Sequence, residues 1–140
     1  MRYPAFTTAL ICTVLNGTGL AAQADIVPKT LAPITVPSGQ PVQFFESLLD
    51  RPAMGLTARF RFVAPQLPQK LADLGYEQLE ADMAYLCDTY ALPRLAGPVP
   101  SMIVISMSDR AVEFASTEAD VTQVFEAYRP SGDICEWEAF

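Results

Sequence analysis

Residues 56–64 read LTARFRFVA, and their apolar and polar side chains alternate along the segment. Because successive side chains of a β-strand point to opposite faces, this period of two predicts a half-buried strand. One face would carry Leu56, Ala58, Phe60 and Phe62, and the other Thr57, Arg59, Arg61 and Val63. The pattern therefore predicts a strand that buries one face against a core and presents two arginines on the other.

The segments before this strand predict a hairpin and an extended arm. Residues 42–49 have apolar positions that fit a strand or a helix, and residues 51–55 read RPAMG, a composition typical of a turn. We therefore predict that 42–49 and 56–64 form a hairpin. Upstream, residues 25–41 contain four prolines, which disfavour helix and central strand. This segment is predicted to be an extended arm with one short edge strand at residues 34–36.

Residues 76–90 have a helical period and form the main helix of the prediction. Their apolar residues recur at steps of three and four, whereas acidic residues populate the other side. The apolar positions are Tyr76, Leu79, Met83, Leu86, Cys87 and Tyr90. Pro93 follows and ends the helix. The apolar stripe is expected to pack on a sheet.

The C-terminal part is predicted to be extended. Residues 102–108 are apolar and β-branched, which favours a strand, and a turn at 108–110 leads into a further extended piece at 112–114. Residues 121–129 and 134–140 flank the turn sequence PSGD and predict a hairpin.

Centring that hairpin on its turn places Phe125 opposite Trp137 and Ala127 opposite Cys135. A helix over residues 117–128 stays open as an alternative, because the apolar residues there also fit a period of 3.6. Together the elements predict a single α+β domain over residues 42–140. One main helix would pack on a mostly antiparallel sheet of about five or six strands.

Residues 1–24 have the composition of an export signal. Arg2 precedes a short apolar stretch, and Ala22 and Ala24 give the small-residue pattern of a signal-peptidase site, so cleavage is expected before Asp25. Cleavage would remove Cys12 and leave Cys87 and Cys135 as a pair, which an oxidising compartment would join. The sequence therefore predicts a periplasmic or secreted protein with a Cys87–Cys135 disulfide and no stable membrane insertion.

Composition excludes several classes of function. The 140 residues include no histidine, the commonest metal ligand and the usual proton-transfer group near neutral pH. Without the signal segment, eight basic residues face sixteen acidic ones, a formal charge of −8. The basic residues are dispersed, so nucleic acid is not an expected partner. No cofactor signature is present, and none is expected.

The sequences LCDTYALPR at 86–94, RFRFVAP at 59–65 and FEAYR at 125–129 resemble a family of exported alphaproteobacterial proteins of unknown function. The resemblance spans residues 36–140 and implies no established activity. Members of that family sometimes bear the label acetolactate synthase. Such an enzyme requires thiamine diphosphate, and its Gly-Asp-Gly signature is absent here.

Arg59 and Arg61 are the candidate ligand-binding residues. Both lie on the outward face of the predicted strand, where two guanidinium groups would hold a carboxylate or a sulfated ligand by bidentate hydrogen bonds. A structural alternative is that they pair with acidic residues of neighbouring strands: Glu46, Glu113, Glu126 or Glu136.

Three weaker candidates involve carboxylates and aromatic residues. Glu136 and Glu138 alternate on one face, about 6–7 Å apart, a spacing that glycan hydrolysis permits. Glu80, Asp82 and Asp88 are acidic but lack the spacing of a calcium loop, so no metal site is predicted. Six aromatic residues would line a pocket between helix and sheet: Tyr76, Tyr85, Tyr90, Phe114, Tyr128 and Trp137.

From these features we expect a periplasmic, non-enzymatic binding or interaction protein whose partner is a protein or a small molecule. No catalytic residue is assigned. Two alternatives stay open: a small cell-wall glycan hydrolase that uses a carboxylate pair, and a ligand carrier with an aromatic pocket.

Overall fold

The computed structural model describes residues 32–139, which form one six-stranded sheet with helices on one face. The strands lie in chain order: β1 Ile34–Thr35, β2 Pro41–Asp50, β3 Thr57–Val63, β4 Met102–Ser108, β5 Gln123–Ser131 and β6 Ile134–Trp137. All neighbouring strands are antiparallel except β3 and β4, which are parallel. The predicted α+β class with a mostly antiparallel sheet is confirmed.

Only some of the predictions for the N-terminal part fall on residues that the structure describes. The predicted signal peptide, its cleavage site before Asp25 and residues 25–31 of the predicted arm lie outside the described residues. The edge strand expected at 34–36 is present as β1, which pairs with the start of β2. The hairpin of β2 with β3 is also confirmed.

Two helices connect β3 to β4, so the prediction of one main helix was wrong in number. They are α1, Leu67–Leu74, and α2, Tyr76–Leu86, which continues as a π-helical turn, Cys87–Ala91, and a 3₁₀ turn, Leu92–Arg94. Pro68 reads as a strand terminator in the sequence, yet it sits in the first turn of α1, where a missing N–H breaks no helical bond. No helix in the described part of the chain is long and apolar enough to span a bilayer.

The helical connection explains the parallel pair. A two-residue hairpin reverses the chain, whereas parallel neighbours require a crossover that brings the chain back to the same end of the sheet. Gly75, at φ 80°, separates α1 from α2 in a conformation that favours glycine. The two short helices thus cover the sheet and return the chain to β4.

The core lies between the helices and one face of the sheet. Phe60 and Phe62 of β3 point into it, as the alternation of residues 56–64 predicts. The fully buried large side chains of this core come from both layers: Phe62, Leu67, Leu79, Met83, Leu86, Ile103, Ile105 and Met107. Burial of each such apolar side chain contributes about 1.5–3 kcal/mol.

A buried carboxylate attaches the segment between β1 and β2 to α2. Asp82 is 0% exposed. Its oxygens accept hydrogen bonds from the Ser38 N–H, at 2.8 Å, and from Gln40 Nε2, at 2.9 Å. The carboxylate that the sequence presents as an acidic helix residue is therefore a structural acceptor.

The C-terminal hairpin has the predicted strands but a different register. Residues 123–131 are strand, so the helical alternative over 117–128 was wrong. Tyr128 pairs with Trp137, and Pro130 pairs with Cys135. The predicted Phe125–Trp137 pairing was therefore wrong by three positions, an odd shift that moves side chains to the opposite face.

The turn geometry accounts for that shift. β5 continues through Pro130 to Ser131, and the turn consists of only Gly132, at φ 60°, and Asp133. Proline is tolerated in this strand because the ladder between β4 and β5 ends at Tyr128. Trp137 and Cys135 consequently face the helices, whereas Phe125 faces away from them.

The extended piece predicted at 112–114 is not a strand. Residues 109–122 form a loop that lies over the face of the sheet opposite the helices. The Val112 carbonyl oxygen and the Phe114 ring contact the guanidinium groups of Arg61 and Arg59 on that face, and neither residue pairs in the ladder.

The Cys87–Cys135 disulfide is present, as predicted. It joins the start of the π-helical turn to β6 across 48 positions of sequence, with Cα atoms 6.1 Å apart. The adjacent Asp88 accepts a hydrogen bond from the Cys135 N–H at 2.7 Å. Two interactions at neighbouring positions therefore attach the last strand to the helical layer.

We expect the double substitution Cys87→Ala with Cys135→Ala to lower the free energy of unfolding by about 4 kcal/mol, because the unfolded chain gains the entropy of an unclosed loop. Urea denaturation followed by circular dichroism measures the change. Reduction of the parent protein with dithiothreitol is the matched control and should reproduce it. A loss below about 1 kcal/mol in both experiments would show that the disulfide does not stabilise the fold.

Candidate functional site

The face of the sheet opposite the helices, here called the outer face, carries a cleft. The outer face includes Arg59 and Arg61 of β3 and Val104 and Ser106 of β4. The cleft, about 210 Å³ in volume, lies between these residues and residues 112–116 of the loop. We call it the outer cleft. The structure thus places the two sequence-predicted arginines together on one side of a concave surface.

Arg61 is the buried centre of the outer face. It is 5% exposed, and its guanidinium forms a salt bridge with Glu46 and donates a hydrogen bond to the Val112 carbonyl oxygen at 2.8 Å. Its Cζ atom lies 5.4 Å from the ring centroid of Phe45 and 5.8 Å from that of Phe114. A buried guanidinium needs such partners because desolvation of an unpaired charge is costly.

A β-bulge in β2 supplies two of those contacts. The register of β2 against β3 shifts between Phe44 and Glu46, so Phe45 is an extra residue in the ladder. A bulge sets two consecutive residues against one residue of the neighbouring strand. Phe45 and Glu46 therefore both reach Arg61, one as a ring and one as a carboxylate.

In the described part of the chain, the guanidinium of Arg59 is hydrogen-bonded through Nε only. Its Nε donates to both oxygens of Asp50 at 3.1 Å, and its Cζ atom lies 5.5 Å from the Phe114 ring centroid. Among the described residues, the terminal Nη1 and Nη2 atoms of Arg59 donate no hydrogen bond, and the side chain is 24% exposed. Arg59 therefore presents its two terminal NH₂ groups, in a fixed orientation, at the outer cleft.

Aromatic rings surround these charges. Phe45 is 41% exposed, Phe114 49% and Phe125 53%. Phe114 and Phe125 line the outer cleft, on the loop and on β5 respectively. Partly exposed rings beside a guanidinium form a surface that contacts both an apolar group and a negative charge.

Ion pairs of Arg110 also hold the loop at residues 109–122 in place. Arg110 pairs with Asp120 at 2.8 Å and lies 3.7 Å from Glu118 and 3.8 Å from Asp109. Exposed ion pairs of this kind contribute little individually. The buried bond from Arg61 to Val112 is therefore the stronger attachment of the loop.

A separate polar cluster lies on the helix side of β5. Glu126, 8% exposed, accepts hydrogen bonds from the Tyr76 hydroxyl at 2.6 Å and from Trp137 Nε1 at 2.8 Å. Burial and the bond to Glu126 raise the pKa of Tyr76 well above its usual value. Burial, followed by the charge of Glu126, raises the pKa of Tyr128 in the same way. Both phenols therefore stay protonated and neutral.

The structure separates the predicted aromatic residues into four places. Tyr76, Tyr128 and Trp137 surround Glu126 at the edge of the helical layer. Tyr90 packs in the core, with its ring 5.1 Å from Phe44 and 5.4 Å from Phe62. Tyr85 is exposed, and Phe114 belongs to the outer cleft. Aliphatic, aromatic and methionine side chains fill the centre between helices and sheet.

The candidate carboxylates serve contacts within the fold. Glu138 pairs with Arg129 at 2.7 Å, and Glu136 lies opposite Arg129 in the ladder of β5 and β6. Asp82 and Asp88 accept backbone hydrogen bonds, as described above. Within residues 32–139, no group of three or more Cys, Asp or Glu side chains is arranged to hold a metal ion.

Comparison with known proteins gives a family. The model of a family of unknown function, DUF6497, matches residues 14–140. The chain belongs to DUF6497. No match was found among curated proteins or among solved structures. Membership of DUF6497 brings no activity with it, so the chemistry of the sites is the basis for a functional conclusion.

Sequence reasoning missed two residues of these sites in this DUF6497 member. Asp50, which orients Arg59, follows an apolar run and reads as part of a turn. Glu126 was considered only as a partner for an arginine, whereas tyrosine and tryptophan donors hold it on the other face. Both assignments depend on strand register, which the sequence does not specify by itself.

We expect Arg61→Lys to loosen the loop at residues 109–122, because an ammonium cannot bond Glu46 and Val112 in one fixed plane while contacting two rings. Amide hydrogen exchange in that loop should speed up by about tenfold. Arg94→Lys, which changes an exposed arginine stacked on Tyr90, is the matched control and should leave the loop unchanged. Unaltered exchange in Arg61→Lys would contradict the anchoring role.

Proposed function

We propose that this chain is a non-enzymatic binding protein of the periplasm that takes a small anionic ligand into the outer cleft. The observation that carries the proposal is Arg59. Its Nε is fixed by Asp50, while Nη1 and Nη2 have no hydrogen-bond partner among the described residues and lie at a concave surface. A pre-oriented guanidinium of this kind matches the two oxygens of a carboxylate.

The rest of the cleft favours an apolar group attached to that carboxylate. Phe114 and Phe125 line it, and about 210 Å³ leaves room for a group of the size of an aromatic ring. The ligand class is therefore a small carboxylate with an aromatic or aliphatic body. The formal charge of the whole chain, −7, opposes anions in general, so binding depends on this local pair of arginines.

The two arginines have different roles in this proposal. Arg59 contacts the ligand. Arg61, whose guanidinium is already bonded to Glu46 and Val112, positions the loop that forms the wall of the cleft. The proposed ligand thus meets one arginine directly and depends on the second for the shape of its site.

The periplasmic location is supported by two features. The N-terminal residues have the composition of a cleavable export signal, and the Cys87–Cys135 pair is bonded. Disulfides persist in oxidising compartments and are rare in the cytosol.

Binding of 3-phenylpropionate by the full chain tests the proposal. Isothermal titration calorimetry should give saturable binding, and Arg59→Gln should weaken it by about tenfold because a charge-assisted pair is lost. Arg51→Gln removes the same charge from an exposed residue outside the cleft and should leave affinity unchanged.

The neutral analogue 3-phenylpropionamide is the ligand control and should bind more weakly than the carboxylate. Equal binding of acid and amide would overturn the assignment of Arg59 as the anion contact. No saturable binding of 3-phenylpropionate at concentrations up to about 10 mM would overturn the proposed ligand class.

A further inference from the structure

A second cavity lies on the opposite side of the sheet from the outer cleft. It has a volume of about 440 Å³ and is lined by Glu80, Ala81 and Ala84 of α2 together with Tyr128 and Trp137 of the C-terminal hairpin. We call it the flank cavity. Volumes of several hundred Å³ are typical of small-molecule sites. None of its residues belongs to the outer cleft.

Tyr128 has an unused polar atom in this cavity. Its side chain packs in the main core and the residue is only 2% exposed, yet its hydroxyl forms no hydrogen bond with any described residue. The fully buried side-chain atoms without a partner in the described residues are Gln40 Oε1 and Asp109 Oδ1, so the Tyr128 hydroxyl opens onto the cavity rather than into the closed core. A polar atom of a buried side chain that opens onto a cavity is available to hydrogen-bond a ligand there.

Negative charge without a counter-ion defines the sign of that ligand. Glu80 lines the flank cavity, and neither Glu80 nor the buried Glu126 forms an ion pair within residues 32–139. The partners of Glu126 are two neutral donors, Tyr76 and Trp137, which leave its charge in place. Burial and, after it, the negative charge of Glu126 raise the pKa of Tyr128. A cation would be attracted here.

Trp137 supplies the remaining wall. Its ring is held in position by the bond from Nε1 to Glu126, and the residue is nevertheless 61% exposed. An immobilised indole face attracts cations more strongly than any other side-chain ring. The cavity thus combines a π face, a carboxylate and a hydroxyl acceptor.

We propose that the flank cavity binds the ammonium group of a small organic amine. The N–H groups of the ammonium would donate to the Tyr128 hydroxyl oxygen and to the Glu80 carboxylate, while Trp137 contacts the charge and the adjoining carbon chain. A quaternary ammonium lacks N–H donors and would leave Tyr128 unpaired, so primary amines are the favoured class. This site is independent of the proposed anion site at Arg59.

The sequence provides a reporter at the site, since Trp137 is the only tryptophan of the chain. Titration of the full chain with 1,5-diaminopentane should change tryptophan fluorescence in a saturable way. The neutral isostere 1,5-pentanediol and the quaternary cation tetramethylammonium should each bind at least about tenfold more weakly. Equal affinity for pentanediol would overturn the proposal, because charge would then play no part.

Two variants locate the binding. Glu80→Gln should weaken 1,5-diaminopentane by about tenfold, and Tyr128→Phe, which removes only the hydroxyl, by about fivefold. Glu77→Gln changes an exposed glutamate of the same helix and is the matched control for lost charge. An equal loss of affinity in Glu77→Gln would overturn the site, since the effect would then be one of net charge.

The remaining outcomes also decide the proposal. Absence of any saturable fluorescence change in the parent protein overturns it. Arg59→Gln should leave diamine binding intact, so failure of the anion site and failure of the amine site are distinguishable. If Tyr128→Phe proves unfolded by circular dichroism, Glu80→Gln and the ligand series still give the answer, because neither disturbs the core.

Discussion

The bond between Cys87 and Cys135 determines which side of β6 meets the helices. Side chains of a strand alternate, so once Cys135 faces α2 and its π-helical extension, Trp137 must face the same way. That orientation brings the indole to Glu126 and closes one end of the flank cavity. A single covalent constraint therefore fixes which face of the last strand meets the helices and, through it, the composition of a candidate site.

The two faces of the sheet bury side chains of different kinds. The helix side is filled with aliphatic and aromatic side chains, which need no specific partners. The outer face carries Arg59 and Arg61 on a central strand and satisfies them with carboxylates and rings. Both Nη atoms of Arg61 are hydrogen-bonded within the fold, whereas both Nη atoms of Arg59 stay available to another molecule. The same strand thus contributes to the core with one face and to recognition with the other.

The carboxylates also differ in how they are paired. Asp82 accepts hydrogen bonds from the segment between β1 and β2, and Glu138 forms a salt bridge with Arg129. Glu126, like Asp82, has only neutral donors among the described residues, so its charge is hydrogen-bonded but not balanced by a counter-ion. A carboxylate without a counter-ion beside an aromatic ring favours the binding of a cation from another molecule.

The amino-acid pattern alone was sufficient for the local elements. The alternation of residues 56–64, the helical period of 76–90 and the apolar run of 102–108 each predict the observed β3, α2 and β4, because burial of one face imposes a period on a sequence. The disulfide also followed from counting cysteines. Arg59 and Arg61 were identified as neighbours on one face because residues two apart in a strand always share a face.

The sequence alone did not determine the features that depend on contacts between segments far apart in the chain. The second helix was hidden because Pro68 reads equally well as the end of a strand or the first turn of a helix. The parallel placement of β3 and β4, the shifted register of β5 and β6, and the loop at 109–122 all arise from contacts between segments far apart in the chain. The period of apolar residues within a segment does not specify which strand pairs with it. The roles of Asp50, Glu126 and Trp137 were therefore decided only by tertiary structure, since a side chain acquires its partners only when the sheet is assembled.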